Sequence, residues 1–482
     1  MKLPQRKERV GIGSGAPAKK KQRGNKDERR RLTAKPAKKT RAERSMREDL
    51  IAQACLEAYG SVRHEGRLAD RALDFTLRTK RHLYSTERRA VAERVYALLR
   101  RQRLVDWLLE RSRPGFAAVS TSRKDLLRIA ASRVLHGEAP ALVAAGMSIG
   151  AEDAACLSQV STAEHDLSLL SPLERYATVA SLPDFLAKRF LKELGEEAEA
   201  FGTAINERAP LCARVNLLKG DRDALIAALK NEEVRAIPTP LSPIGLHLET
   251  RINAFSLVAF RSGLFEIQDE GSQLLGMLVD APPTKVVDAC AGAGGKTLQL
   301  AAQMKNRGEL FALDIETRRL DDLKDRARRD GVHNVRVKEI PKEGPEVAAA
   351  LEFLKGKADR VLVDAPCTGT GTFRRKPDAR WRLEESEIAD HAQRQGRLLD
   401  SFAPMVKPGG RMIYGTCSIL REENEDVIEA FLKRTPGFRV KPAVDLLGPQ
   451  LSACCSPAGF LRLYPHRHNT DGFFGAVLVK IP

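Results

Sequence analysis

Two stretches of this sequence put a thiol at the end of an apolar run, where covalent chemistry could be done. Val361 to Val363 reads as a short buried strand that ends in Asp364-Ala365-Pro366-Cys367 and passes into the glycine-rich turn Thr368 to Thr372. Further on, Gly410 to Gly415 reads as another strand ending in Thr416-Cys417-Ser418, followed by a helix start rich in acid: Glu422, Glu423 and Glu425. A thiolate can add to an electron-poor carbon, and a carboxylate beside it can manage protons. Taken singly, each Cys suits plain core packing at least as well, because free cysteines are commonly buried hydrophobes. A third stretch shifts the balance. Val286-Val287-Asp288 runs into Cys290-Ala291-Gly292-Ala293-Gly294-Gly295-Lys296 and then a helical pattern, so a ligand can approach the backbone closely at a helix N-terminus. The spacing fits neither a P-loop nor the dinucleotide fingerprint. The next strand, Leu310 to Leu313, ends in Asp314, about 20 residues on, where a carboxylate can hold two ribose hydroxyls. That combination points to a nucleoside cofactor without a pyrophosphate.

These strand ends need a sheet to hold them. Strand, loop and helix alternate from Lys285 to Lys433 and are followed by the apolar runs Phe460 to Leu463 and Phe473 to Val479, which predicts a doubly wound α/β sheet finished by an antiparallel hairpin over residues 281–482. Residues 170–280 read as a small α+β lobe. It has a helix around Asp184 to Phe201, strands at Cys212 to Asn216, near Val234 to Ile237 and at Gly245 to Leu248, and a helix at Ser272 to Leu278. From 48 to 165 apolar residues recur at three- and four-residue intervals, as in Val91, Val95, Leu98 and Leu99, so a helical bundle is expected, with a basic face from Arg88, Arg89, Arg94, Arg100, Arg101 and Arg103. Residues 1–47 carry 18 Lys or Arg against 4 acids and almost no large apolar side chains, which predicts a disordered basic tail.

The formal charge of +18 implies a polyanionic partner, and by itself leaves nucleic acid and an anionic membrane surface both open. No apolar run is long enough for a transmembrane helix and the N-terminus has no apolar h-region of a secretory signal, so the cytoplasm is expected. The eight Cys lack paired metal-ligand spacing, so no metal site is expected and the thiols should be free.

DAPCTGTG at 364–371, TCSI at 416–419 with Glu422-Glu423-Asn424-Glu425, and CAGAGGKT at 290–297 occur in the order and spacing of a known family. The chain resembles S-adenosylmethionine-dependent RNA cytosine-C5 methyltransferases over residues 170–482, including Arg214 to Lys219 and Gln268 to Gln273. Arg71-Ala72-Leu73 and Val95 to Arg100 are similar to the NusB-like RNA-binding module of the bacterial small-subunit ribosomal-RNA branch. The resemblance implies a Rossmann-like methyltransferase domain. It makes Cys417 the nucleophile toward C6 of the base, Cys367 the thiol that helps release product, and Asp364 the partner of cytosine N3. It sets Cys290, Ala291, Gly292, Ala293, Gly294, Gly295 and Lys296 around the methionine end and ribose of S-adenosylmethionine, Asp314 on the ribose hydroxyls and Asp364 near the methyl-donating end. DNA cytosine methyltransferases use the Pro-Cys thiol as nucleophile, so both thiols together with TCSI point to RNA. Ribosomal RNA and a monomer are the first expectation, with transfer RNA, or a ribosome-assembly factor with secondary methylation, as alternatives. The chain departs from the family pattern at Ala293, where Pro is common, and at Ile340-Pro341, where an acid near the adenine is usual. The basic run Arg374 to Arg380 is expected to grip the RNA phosphates.

Overall fold

Apolar side chains that alternate along short strands build the central sheet. The computed structural model describes residues 46–162, 167–250, 252–342 and 344–482. The basic tail read over 1–47 lies, except for Met46 and Arg47, outside the described residues. The strands are β1 (Cys212–Val215), β2 (Ala236–Pro238), β3 (Gly245–Leu248), β4 (Phe265–Ile267), β5 (Lys285–Asp288), β6 (Glu309–Asp314), β7 (Val335–Glu339), β8 (Ala358–Asp364), β9 (Val406–Thr416), β10 (Phe438–Lys441), β11 (Leu461–Leu463) and β12 (Phe473–Lys480).

The large sheet has the order β10-β12-β9-β8-β5-β6-β7, with β11 paired to β12. β9 through β7 are parallel, and β12 is antiparallel to β9. Residue-by-residue alternation feeds a core on each face. Val286, Leu362, Ile413 and Val477 enter one apolar layer, while Val287, Val361, Val363, Tyr414 and Leu478 enter the other. Because β5, β6 and β7 step outward in one direction and β8 returns to the other side of β5, the order reverses between β5 and β8. In open α/β sheets the crevice beyond the carboxyl ends at such a reversal is where ligands bind. A smaller, antiparallel sheet, β2-β3-β1-β4, packs its own core of Val215, Leu225, Leu246 and Phe265. Helices Glu48–Arg63, Ala69–Thr79, Ser85–Ser112, Thr121–Leu135, Pro140–Gly146 and Ala151–Thr162 share a third core around Ile51, Val95, Leu98 and Leu127.

Three local expectations differ. The helix read from Asp184 to Phe201 is two helices, Asp184–Leu194 and Ala198–Ala204, because Gly195 ends the first at a φ of +55°. The last two apolar runs pair antiparallel as read, Leu461 opposite Gly475 and Leu463 opposite Phe473, but their connection contains a helical turn, Pro465–His468, and β12 lies between β9 and β10 rather than at the end of the sheet. The edge strand β10 was not read: its four residues alternate apolar Phe438 and Val440 with Arg439 and Lys441, a period-two signal too short to stand out.

Candidate active site

Four parallel strands end in a carboxylate, three of them in an Asp: β5 in Asp288, β6 in Asp314 and β8 in Asp364, with β7 ending in Glu339. Asp314 is almost buried. Its Oδ2 accepts the Gly292 N–H at 2.8 Å and its Oδ1 the Glu316 N–H at 3.0 Å, so the carboxylate is fixed beside the glycine loop. Asp288 is fully buried. Its Oδ2 accepts from the Thr297 hydroxyl at 2.7 Å, its Oδ1 has no partner, and burial pushes it up to about 7. Asp364 Oδ2 pairs with the Lys296 ammonium at 2.6 Å. The loop's outward carbonyls are held from the small sheet, where buried Arg214 of β1 donates to Gly295 O at 2.6 Å and to Gln268. Arg326 donates to Ala293 O from the helix Thr317–Asp330.

The turns after β8 and β9 are laced together. Gly371 N–H donates to Cys417 O at 2.9 Å, Ile419 N–H to the Thr370 hydroxyl at 3.1 Å, and the Thr370 and Ser418 hydroxyls are 3.0 Å apart. Gly371 is required here, because a Cβ on it would lie 2.3 Å from Gly472 O. This lacing brings Cys367 Sγ to 3.3 Å from Cys417 Sγ. Cys367 is held well above the ordinary thiol range, first by its hydrogen bond to Cys417, then by burial and by the charges of Cys417 and Glu423. Cys367 therefore keeps its proton at neutral pH, and either sulfur can be the donor in the contact between them. Cys290 is also pushed well up, by burial and by the neighbouring Asp288, Asp364 and Asp314 carboxylates, which excludes it as a thiolate at neutral pH.

Asp364, Lys296, Cys367 and Cys417 thus share one end of the sheet at β8 and β9, with Cys290 to Gly295 and Asp314 next to them. The basic run does not join them. Arg374 and Arg380 are 1% and 0% exposed. Arg374 donates to Asn469. Arg380 donates to the carbonyls of Ala180, Ser181 and Ile205 and to Asn206, and Arg375, though partly exposed, is paired with both Asp269 and Asp471. The phosphate grip expected of Arg374 to Arg380 is overturned for these three arginines: they anchor the segment to distant parts of the chain. Several arginines of the helical region are tied down in the same way: Arg94 pairs with Glu48, Arg100 donates to Arg374 O, and Arg103 donates to Leu182 O and Asp184. The sequence reading missed Asp288, Arg214's hold on the loop, and the buried Glu423, which accepts from the Thr368 N–H and hydroxyl and from Gln395. Asp288 could have been found from its position, since it ends its strand as Asp314 and Asp364 end theirs.

A doubly wound sheet with a glycine loop after its first parallel strand and a fixed carboxylate after the next defines a nucleoside-cofactor domain, here with paired thiols beside it. Comparison with known proteins gives the family. The family model described as 16S rRNA methyltransferase RsmB/F matches residues 277–479, and the RsmF/B-like ferredoxin-like domain matches residues 182–254. The probable ribosomal RNA small subunit methyltransferase B of Synechocystis sp. is 31% identical over 435 residues, 85% of this chain and 95% of that protein. The ribosomal RNA small subunit methyltransferase B of Pseudomonas syringae pv. tomato is 33% identical over 378 residues, 76% of this chain and 83% of that protein. Among solved structures, PH0851 superposes with a TM-score of 0.71 at 30% identity, covering 91% of this chain and all of that one. NSun6 from Pyrococcus horikoshii, at 22% identity and a TM-score of 0.55, shares the fold. The chain belongs to the RsmB/F family of ribosomal RNA methyltransferases. It is an S-adenosylmethionine-dependent RNA methyltransferase, and no described helix is long and apolar enough to cross a membrane. Among the described residues no His, Cys, Asp and Glu cluster has metal-binding geometry.

The residues fit that cofactor. A Cβ on Gly292 or Gly295 would meet nothing within 4 Å, so the loop leaves open space along its backbone. Asp288 Oδ1 is an unpartnered buried acceptor beneath the same loop, and Asp314 retains lone pairs for hydroxyl donors.

Proposed function

We propose that the chain methylates C5 of a cytidine in ribosomal RNA through a covalent bond between Cys417 and C6. The observation that carries this reading is the 3.3 Å approach of Cys367 and Cys417 at adjacent strand ends, with the Lys296–Asp364 ion pair at the end of the same strand as Cys367. S-adenosylmethionine, when bound, supplies an electrophilic methyl group, with Cys290 to Lys296 and Asp314 as the residues proposed to hold it. Cytosine C5 is too weak a nucleophile to take that methyl unaided. Cys417 thiolate adds at C6, and the C5–C6 electron pair is pushed into the ring toward C5 and N3. Asp364 faces N3 and relays a proton from the Lys296 ammonium as charge arrives there. After methylation the C5 hydrogen leaves as a proton to a base, the C5–C6 double bond re-forms, the C6–S bond breaks to return Cys417 as a thiolate, and N3 gives its proton back through Asp364 to Lys296.

The thiol pair orders these steps. The hydrogen bond between the two sulfurs holds the proton on Cys367. Once Cys417 is bonded to C6 that hydrogen bond is gone, and Cys367 can lose its proton to water and act as the base at C5. The base must leave its stack to reach this crevice. The helices from Glu48 to Thr162 serve in this reading as a NusB-like RNA-binding module, and the enzyme acts in the cytoplasm as a monomer. The test is incubation with total cellular RNA and labelled methyl donor, followed by mapping of 5-methylcytosine. Label in small-subunit ribosomal RNA supports the reading. Label in transfer RNA replaces the substrate, and binding of the donor without turnover on any RNA refutes it.

A further inference from the structure

Glu422, Glu423 and Glu425 follow the Cys417 thiol in one short motif, yet they are treated differently. Glu422 pairs with Arg189 and Glu425 with Arg462. Glu423 is 0% exposed and among the described residues has no cation partner; its acceptors are filled by neutral donors. Oε1 accepts the Thr368 N–H at 2.9 Å and the Gln395 amide at 3.0 Å, and Oε2 accepts the Thr368 hydroxyl. The same Gln395 amide also donates to Pro366 O at 3.0 Å, so both neighbours of Cys367 are held by this group. Tyr414 of β9 fixes the other side, its hydroxyl donating to Glu423 O at 2.6 Å. A buried carboxylate without a counter-ion is costly, and a glutamine could make comparable bonds at lower cost. The charge itself is therefore what calls for explanation.

We infer that Glu423 is a positioning residue that acts through Cys367: Thr368 and Gln395 hold its charge against the turn that carries Cys367, so that the proton in the thiol pair stays on Cys367. Its negative charge is one of the causes that hold Cys367 above the ordinary thiol range. The titratable groups facing Cys367 are Cys417 from the turn after β9, Glu423 from the next turn, and the Tyr414 phenol, which responds to both Cys367 and Glu423. The helix Glu385–Phe402 contributes the neutral Gln395 amide. This inference rests on the two-thiol reading of the reaction, but it assigns the proton without reference to which base is methylated.

The test is the pH profile of alkylation of each thiol by iodoacetamide, read by peptide mass spectrometry on the full chain without RNA or methyl donor. Glu423→Gln keeps the shape and the Thr368 contacts, since the Thr hydroxyl can accept from the new amide. It should shift the Cys367 profile to lower pH, with alkylation of Cys367 at neutral pH faster by on the order of tenfold. Glu423→Asp keeps the charge and should leave the Cys367 profile near that of the native chain. In turnover, Glu423→Gln should lower kcat with KM for RNA little changed, and should add nothing to the defect of Cys367→Ala. Should Glu423→Gln leave the Cys367 profile in place, or Glu423→Asp shift it as far as Gln does, the inference falls. Because alkylation needs no substrate, failure of the methylation reading would appear separately, as unimpaired methyl transfer by Cys417→Ala.

Discussion

Two stretches only a few residues apart, Asp364 to Gly371 and Phe373 to Arg382, relate to the rest of the chain in opposite ways. Asp364 to Gly371 meets the turn after β9, a partner that carries the same kind of signal: a strand end, a thiol and a small-residue turn. Phe373 to Arg382 has the composition of a basic loop open to phosphate, but its side chains are taken up by Asn469, Asp471, Asp269, Ala180, Ser181 and Asn206. Phe373 sits in a core with Phe190, Phe201 and Ile419, and Trp381 donates to Leu99 O in the helical region. Residue type at a strand end constrains where a group points, because the sheet sets its direction. A run of charge does not, because burial is decided by partners that are remote in sequence.

The comparison is broken most directly at the thiols. Cys417→Ala should abolish methylation and any covalent protein–RNA adduct, a loss of several orders of magnitude. Cys367→Ala should methylate once and stay attached, giving a slow-migrating band on a denaturing gel that needs both RNA and S-adenosylmethionine and disappears after nuclease. The double substitution should lose the band. Trapping by Cys417→Ala instead would reverse the roles and bring the chemistry into line with the DNA enzymes.

On the basic side the largest effect should be on stability. Arg380→Met leaves the carbonyls of Ser181 and Ile205 without their donor, and Ala180 O with only the Asn206 amide, in a buried site, and should cost on the order of 3–5 kcal/mol. Denaturant unfolding measures this. A near-native midpoint would mean that the segment is not an anchor.

What was legible in the sequence follows the same division. The parallel strands, their order along the chain and the residues at their carboxyl ends were readable, because short continuous apolar runs ending in Asp or Thr-Cys specify both element and direction. The α+β lobe was readable as alternating elements, but its task was not, since Arg214 reaches Gly295 O across 81 residues of sequence. Glu423 was visible only as one acid among several, because its burial depends on Thr368 and Gln395. The tight pairing of β12 between β9 and β10 was hidden because nothing local marks which edge a last strand joins.

A smaller effect tests the motif side. Asp288 rises from 3.8 to about 7 in the folded chain because it is buried. The unfolded chain loses this proton near pH 4 while the folded chain keeps it to about 7, so this group's contribution to stability falls as pH rises through that window. Asp288→Asn removes the slope and preserves an acceptor for Thr297. Thermal unfolding between pH 5 and 8 should show the variant gaining at the upper end by on the order of 1–2 kcal/mol relative to its value at the lower end. A parallel pair of curves would mean that Asp288 is ionised throughout.

The smallest expected effect is at Lys376, and it is the sharpest on the comparison. Lys376 lies in the middle of the basic run but is exposed, unlike Arg374 and Arg380 on either side. If burial rather than charge decides what each residue of the run does, Lys376→Ala should leave the unfolding midpoint unchanged within about 0.5 kcal/mol. It should weaken RNA binding modestly and reduce the slope of log affinity against log salt by about 1, the signature of one lost phosphate contact. Arg380→Met, assayed under conditions where it remains folded, should leave that slope alone. An unchanged slope in Lys376→Ala together with a reduced one in Arg380→Met would restore the run as a phosphate grip and remove the distinction drawn between the two adjacent stretches.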